Sequence, residues 1–102
     1  MLDTGASITT ISRMILLRLG YSAGGKITTI TTGSGQETVA VYSIPKVKIG
    51  LTELTDVEVY AHDFPEESYV DGVLGMNILE NFNFAVNLDE NIIKLERRSA
   101  YA

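Results

Sequence analysis

The chain has 102 residues, with eight basic and thirteen acidic side chains, a formal net charge of −5 and no cysteine. One globular domain fits this length, and the scattered basic residues disfavour binding to nucleic acid or to anionic membranes. Disulfides and thiol chemistry are excluded, and because His62 is the single histidine with no carboxylate cluster nearby, no metal and no cofactor is expected.

The beginning of the chain predicts a short strand followed by a short helix. The four residues from Ile8 to Ile11 are all β-branched, which favours an extended backbone. Ser12 is a suitable N-cap for a helix from Arg13 to Leu19, and Gly20 is placed at the C′ position.

A long β-hairpin is predicted next. Its strands are Lys26–Thr32 and Glu37–Ile44, and Gly33-Ser34-Gly35 forms the turn between them. Pro45 is expected to end the second strand because proline cannot donate a hydrogen bond to a neighbouring strand. Gly50 is then expected to turn the chain.

The second half of the chain is also mainly β in pattern. Val57, Val59 and Ala61 alternate with polar residues, which predicts a half-buried strand. His62 is expected on the surface, in a polar loop. The remaining predicted elements are a short apolar strand at Val70–Leu74, one or two helical turns at Met76–Asn81, and a closing hairpin whose strands contain Phe82, Phe84, Val86 and Leu88 and then Ile92–Glu96. Phe82 and Phe84 are predicted core residues.

One string near the start carries a chemical signature. Leu2-Asp3-Thr4-Gly5-Ala6-Ser7 resembles the active-site motif of aspartic proteases, in which a hydrophobic residue precedes Asp-Thr-Gly and then Ala or Ser. Taken alone, three residues of this kind are a weak match.

A second string strengthens the resemblance. Val73-Leu74-Gly75, followed by Met76-Asn77-Ile78-Leu79, is similar to the hydrophobic-hydrophobic-Gly element that precedes a short helix in retropepsins and their cellular relatives. The distance between the two strings and the glycine-rich hairpin between them also suit a retropepsin-like subunit. The resemblance covers nearly the whole chain.

The resemblance implies an all-β fold, namely a retropepsin-like acid-protease subunit built as a closed or partly open barrel-like domain with one or two short helices. Residues 1–102 would form this single domain without its N-terminal strands, since only Met1 and Leu2 precede Asp3. We therefore expect a sheet edge left unpaired, apolar surface exposed, a poorly held catalytic loop and an altered dimer. A cytoplasmic location is favoured, and an upstream signal or anchor is left open.

The resemblance assigns catalysis to Asp3, Thr4 and Gly5. Peptide hydrolysis in this family uses two carboxylates that share one proton, because like charges roughly 3 Å apart cannot both ionise. The ionised carboxylate takes a proton from water, and the protonated one polarises the scissile carbonyl group. Because the chain has one Asp-Thr-Gly, the resemblance and this stoichiometry together imply a homodimer.

Peptide or protein substrates are implied as well, bound as an added strand with side chains in alternate pockets. The turn at Gly33, Ser34 and Gly35 resembles the mobile flap that closes over substrate. Ala6 and Ser7 are further candidate substrate contacts, and pattern alone adds Ile30, Val73 and the residues flanking the flap as pocket walls.

Plainer interpretations stand beside these. Asp3-Thr4-Gly5 could be an ordinary turn or a phosphoryl-transfer aspartate, although no phosphate-binding glycine loop follows, and Gly33-Ser34-Gly35 could be a simple hairpin turn. Asp71 lacks a following Thr-Gly and is expected to shape a turn. The alternative function is a non-catalytic β module for dimerisation or extended-peptide binding. Ser7 and Met76 replace an ion pair of many viral members, which favours the cellular and bacterial branch.

Overall fold

A computed structural model describes residues 1–21 and 24–98. Its elements, in chain order, are β1 (Thr9–Ile11), α1 (Arg13–Arg18), β2 (Ile27–Thr32), β3 (Gly35–Ile49), β4 (Thr52–Ala61), a 3₁₀ helix (Glu66–Ser68), β5 (Gly72–Val73), α2 (Met76–Leu79), β6 (Phe82–Asn87) and β7 (Ile92–Arg97). The predicted all-β class with two short α-helices is therefore confirmed. No helix in the described part of the chain is both long and apolar enough to span a membrane.

The strands form two sheets of unequal size. Five strands make one sheet in the order β2-β3-β4-β1-β5, and β6 pairs only with β7. Strand β1 is parallel to β4 and antiparallel to β5, and all other pairs are antiparallel. The short strand β1 consequently lies between residues from the middle and from the last third of the chain.

The core lies where the two helices cover the large sheet. Leu16 of α1 and Ile78 of α2 are fully buried, and they belong to one cluster with Val59 of β4. The predicted alternation in β4 is confirmed, because Val57, Val59 and Ala61 are all buried. Burial of this apolar surface holds the helices against the sheet.

Strand β3 continues through Pro45, contrary to the sequence prediction. The ladder with β4 is paired at Ile44 with Val57 and again at Lys46 with Thr55. Pro45 occupies the unpaired step between them, so its missing N–H group costs no ladder hydrogen bond. The two strands therefore form one long arm instead of two short segments.

The ends of α1 differ in how well they match the prediction. Gly20 has φ +83°, the left-handed conformation expected just beyond a helix C-terminus. Ser12 precedes the helix, but its hydroxyl group does not cap it. Its backbone N–H group instead donates to the carbonyl oxygen of Asp71 at 2.8 Å, which ties the start of the helix to the chain before β5.

The prediction that Phe84 belongs to the core is wrong for the single chain. Phe82, at the base of the β6–β7 hairpin, is 5% exposed, whereas Phe84 is 45% exposed. The reason is that β6 and β7 pair only with each other, so only the base of the hairpin packs on the rest of the molecule.

Candidate active site

The loop around Asp3 is held by backbone hydrogen bonds, although a poorly held loop was expected. The amide of Asp3 donates to the carbonyl oxygen of Leu74 at 3.0 Å, and the amide of Leu74 donates to that of Met1 at 2.7 Å. The amide of Ala6 closes the loop by donating to the carbonyl oxygen of Asp3 at 3.1 Å. The expectation was wrong because the few residues before Asp3 already pair with the Val73-Leu74-Gly75 segment.

One oxygen of the Asp3 carboxylate is fixed in orientation. The backbone N–H group of Gly5 donates to Oδ1 of Asp3 at 2.9 Å. Asp3 itself is half-buried, and Thr4 and Gly5 are exposed. A Cβ atom at Gly5 would lie 3.2 Å from the same Oδ1 atom, so glycine leaves the carboxylate its space.

The second motif begins the helix that supports this loop. The first N–H groups of a helix have no partners within it. In α2 the amide of Met76 donates to the carbonyl oxygen of Ala6 at 2.7 Å, and the amide of Asn77 donates to that of Ser7 at 3.0 Å. Carbonyl groups of the loop thus accept hydrogen bonds from the first N–H groups of α2. This mutual dependence explains why the two motifs occur together.

Gly75 is required by close backbone approach. A Cβ atom at this position would lie 2.6 Å from the carbonyl carbon of Ile8 and 2.8 Å from the amide nitrogen of Thr9. Real Cβ atoms essentially never approach backbone atoms so closely, so any other residue would push the segment after Asp3 away from α2. The glycine in the second motif is therefore a packing requirement of the Asp3 loop.

A buried polar network beneath the loop was missed by sequence reasoning. Thr9 is 1% exposed. Both its amide and its hydroxyl group donate to Oδ1 of Asn77 at 2.8 Å, and its Oγ1 atom accepts a bond from the amide of Gly75 at 3.0 Å. The Nδ2 group of Asn77 donates to the carbonyl oxygen of Glu58 at 2.7 Å. The only signal in the sequence was Thr9 itself, a polar residue in a predicted strand of β-branched residues.

An apolar cavity of about 270 Å³ lies beside the carboxylate. It is lined by Leu2, Asp3, Thr4, Leu79, Phe84, Val86 and Ile93. Apolar side chains from the β6–β7 hairpin thus form one wall, and the candidate catalytic residues form the other.

The β2–β3 hairpin ends in a two-residue turn. Thr32 pairs with Gly35, whose φ is +122°, and Gly33 and Ser34 occupy the turn. The hydroxyl group of Thr32 donates to the carbonyl oxygen of Gly35 at 3.1 Å and accepts from the amide of Ser34 at 3.2 Å. The turn predicted here is confirmed, and its side-chain hydrogen bonds are local. None of the hydrogen bonds among described residues joins it to the Asp3 loop.

Val73 and Ile30, two further residues predicted from the sequence, lie in different strands, β5 and β2. Val73 pairs with Thr10 at the edge of the large sheet and is 7% exposed, so a single chain offers little of it to a ligand. Ile30 is half-buried in β2, across from Glu37. Asp71 is exposed in the bend before β5, and its backbone carbonyl oxygen accepts the bond from Ser12.

The domain is mainly β, and its one Asp-Thr-Gly loop is hydrogen-bonded to the start of a short helix that follows Gly75. This arrangement is that of the retropepsin-like class. The structure resembles the crystal structure of a retropepsin-like aspartic protease from Rickettsia conorii, with a TM-score of 0.70 and 26% sequence identity over 92% of this chain and 69% of that chain.

The family profile described as aspartyl protease matches residues 1–78, which include both motifs. The chain therefore belongs to the aspartyl protease family. A comparison with curated proteins gives no match.

Proposed function

We propose that the chain is one half of a homodimeric aspartic endopeptidase, with Asp3 contributed by each copy. The observation that carries the proposal is the geometry at Asp3: Oδ1 is held by the amide of Gly5, and the carboxylate borders an open cavity. Residues 1–102 would act as one domain, and the substrates would be peptides or proteins. Membership of the family and the retropepsin-like fold support a protease function.

The proposed reaction needs two carboxylates and one water molecule. The ionised Asp3 removes a proton from the water, whose oxygen attacks the carbonyl carbon of the scissile peptide bond. The protonated Asp3 of the other copy gives its proton to the carbonyl oxygen, which produces a tetrahedral diol. The first Asp3 then gives the proton that it took from water to the departing nitrogen, and the ionised Asp3 of the other copy removes a proton from a hydroxyl group of the diol as the carbon–nitrogen bond breaks. The products are a carboxylic acid and an amine, and the pair of Asp3 carboxylates again holds one proton.

The surrounding loop supplies orientation for this chemistry. Because the amide of Gly5 donates to Oδ1, the carboxylate plane is set and Oδ2 is left for the water molecule. The exposed side chain of Thr4 makes no hydrogen bond to the described residues of its own chain. In the proposed dimer it faces the matching loop and joins the two copies.

Substrate binding is proposed to follow the strand-addition mode. An extended peptide would lie across Asp3, with the turn at Gly33, Ser34 and Gly35 acting as the flap above it. Ala6, Ser7 and Val73 are the proposed contacts on the other side, and Ile30 the proposed wall at the flap base. The exposed two-residue turn with a left-handed Gly35 supports a movable tip.

The test is cleavage of a peptide library by the purified chain at mildly acidic pH. We expect Asp3→Asn to abolish cleavage, because an amide can neither take a proton from water nor share one with the second carboxylate. Asp71→Asn is the matched control, since Asp71 is an exposed aspartate that no Thr-Gly follows. Cleavage that survives Asp3→Asn, or that is lost equally in Asp71→Asn, would contradict the mechanism.

The second candidate is a non-catalytic module that binds extended peptides. One observation favours it: a single chain holds one Asp3 carboxylate and so cannot form the pair by itself. If the wild-type chain binds library peptides while remaining monomeric, and cleaves none, this function replaces the first.

A further inference from the structure

The outer part of the β2–β3 hairpin is not supported by a third strand. Strand β4 ends at Ala61, which pairs with Ala40, and beyond that point β3 pairs only with β2. We refer to residues 29–38 as the outer hairpin, and none of these residues is buried. A two-stranded hairpin is only marginally stable in water by itself. Contacts between the outer hairpin and the rest of the chain therefore decide how firmly it is held.

One ion pair makes such a contact. Nδ1 of His62 lies 3.4 Å from Oε2 of Glu37. Among the hydrogen bonds and ion pairs of residues 1–21 and 24–98, no other joins the outer hairpin to the rest of the chain. Glu37 pairs with Ile30, and two further residue pairs separate it from the turn at Gly33 and Ser34. The contact is therefore close to the tip of the hairpin.

His62 is itself fixed to the body of the domain. It directly follows β4, and its amide donates to the carbonyl oxygen of Ile11 in β1 at 3.1 Å. The ring of Phe64 meets the imidazole edge-on, with centroids 5.9 Å apart and planes at 80°. The side chain of His62 is 30% exposed, and that of Glu37 is 45% exposed. The ion pair thus joins an anchored residue to an unsupported hairpin.

The strength of this contact varies with pH because the charge of His62 varies. A separation of 3.4 Å is longer than an ordinary hydrogen bond, so the attraction depends on a protonated imidazole. Histidine side chains gain a proton as the pH falls from about 8 to about 5, whereas glutamate side chains stay ionised down to about pH 4. The attraction is therefore present at mildly acidic pH and is lost as the pH rises.

The neighbouring charges do not change over this range of pH. Asp63 follows His62, and its Oδ2 lies 4.0 Å from Nε of Arg13 in α1. At the base of the same hairpin, Nζ of Lys26 lies 3.3 Å from Oε2 of Glu58. Aspartate, arginine, lysine and glutamate side chains all keep their charges between about pH 5 and about pH 8. A response of the hairpin to pH in this range is therefore expected from His62.

We propose that His62 is a positioning residue for the flap. As the pH falls, its charged imidazole attracts Glu37 and holds the outer hairpin against the end of β4. This inference rests on the proposed function, in which the turn at Gly33, Ser34 and Gly35 is the flap. A pair of carboxylates that shares one proton also works at mildly acidic pH. The flap would therefore be held most firmly under the conditions in which the two Asp3 residues cleave peptides.

Hydrogen exchange measures how firmly the outer hairpin is held, without any substrate. The amide of Val41 donates to the carbonyl oxygen of Lys26, so the alternation of an antiparallel ladder also bonds the amides of Ile30 and Thr32 to β3. Their protection factors, corrected for the intrinsic effect of pH, should be about threefold higher at about pH 5.5 than at about pH 8. His62→Gln should remove this difference. A difference that persists in His62→Gln would overturn the proposal.

Two further variants make the test specific. Asp63→Asn removes a charge next to His62 but belongs to the contact with Arg13, so the response to pH should remain. An equal loss of the response in Asp63→Asn and His62→Gln would overturn the proposal. His62→Lys acts in the opposite direction, because lysine stays charged over this range. Its protection factors should be equally high at both pH values, and a response to pH that survives in His62→Lys would also overturn the proposal.

Peptide cleavage provides a second readout. At about pH 5.5, His62→Gln should raise KM roughly threefold and change kcat little, because His62 acts on the flap and not on the reacting atoms. Glu37→Gln should have the same effect. The double variant should be no worse than either single variant, since both remove the same contact. Effects of the two substitutions on KM that simply multiply would contradict the contact.

The outcomes separate this inference from the proposed function. In Asp3→Asn the shared proton is removed, yet the response of the outer hairpin to pH should persist, and its loss would overturn the inference. A response that depends on His62 in a chain that cleaves no peptide would refute the protease proposal and leave the pH-dependent contact standing. A chain that cleaves peptides through Asp3, but whose protection factors are the same in His62→Gln, would refute this inference and leave the protease proposal standing.

Discussion

The Asp3 loop and the β6–β7 hairpin border the same cavity, but they are held in different ways. Backbone hydrogen bonds to Leu74 and to the start of α2 hold the loop within one chain. The hairpin rests on Phe82 at its base and leaves Phe84 and Val86 exposed. The polar backbone groups of the loop are thus satisfied inside the single chain, whereas apolar side chains of the hairpin are left exposed beside the cavity.

This contrast predicts that changes near the loop act on each folded chain, independently of protein concentration. In the proposed homodimer, changes in the exposed part of the hairpin should depend on protein concentration. Three substitutions test the contrast.

Gly75→Ala should have the largest effect. The added Cβ atom would lie 2.6 Å from the carbonyl carbon of Ile8, and backbone on both sides must shift. We expect the free energy of unfolding to fall by about 3 kcal/mol, measured by urea denaturation. Gly24→Ala is the control, since nothing lies within 4 Å of its Cβ position. If the loss in the free energy of unfolding became smaller as protein concentration rises, the loop would not be held within the single chain and the prediction would be wrong.

Thr9→Val should have an intermediate effect. Valine keeps the shape of threonine but leaves the amide of Gly75 without its acceptor and removes one donor to Asn77. We expect a loss of roughly 2 kcal/mol in the free energy of unfolding, since buried donors left unsatisfied are costly. Thr10→Val, the half-buried neighbour on the same strand, should change it little in the same denaturation assay. If both variants lose a similar free energy of unfolding, the loss comes from replacing threonine in this strand and not from breaking the hydrogen bonds of Thr9.

Phe84→Ala should have the smallest effect in dilute solution. Its ring is already 45% exposed, so truncation should lower the free energy of unfolding of the monomer by less than about 1.5 kcal/mol. At high concentration the loss should grow, because a dimer contact adds stability by mass action. Thermal unfolding at two concentrations a hundredfold apart measures the difference. A constant loss would mean that the ring contributes nothing to association.

Sequence patterns predicted the elements that depend on local signals. The left-handed Gly20, the alternation around Val59 and the turn at Gly33-Ser34 are each decided by a few neighbouring residues. The two motifs could also be matched from the sequence, because close packing at Gly75 and at the Asp3 loop allows few other residues. For these reasons most strands and the candidate catalytic residue could be placed in advance.

The features that sequence reasoning missed depend on partners distant in the chain. Pro45 is tolerated because it falls at an unpaired step of the ladder with β4, which no local pattern reveals. Thr9 and Asn77 are 68 residues apart, so their network has no local signature. Alternation at Phe84 predicted a core residue, but the ring is 45% exposed, because a strand pattern does not say whether another element covers that face.

The bonds between the Asp3 loop and α2 also determine when the loop can form during synthesis. Ala6 and Ser7 accept hydrogen bonds from Met76 and Asn77, and Thr9 depends on the same helix start. Contacts of such long sequence separation form late, since a large loop of chain must close first. On the ribosome, residues 1–9 therefore lack these partners until Met76 and Asn77 have left the exit tunnel. A nascent chain therefore cannot order the loop around its candidate water-activating carboxylate before α2 has emerged.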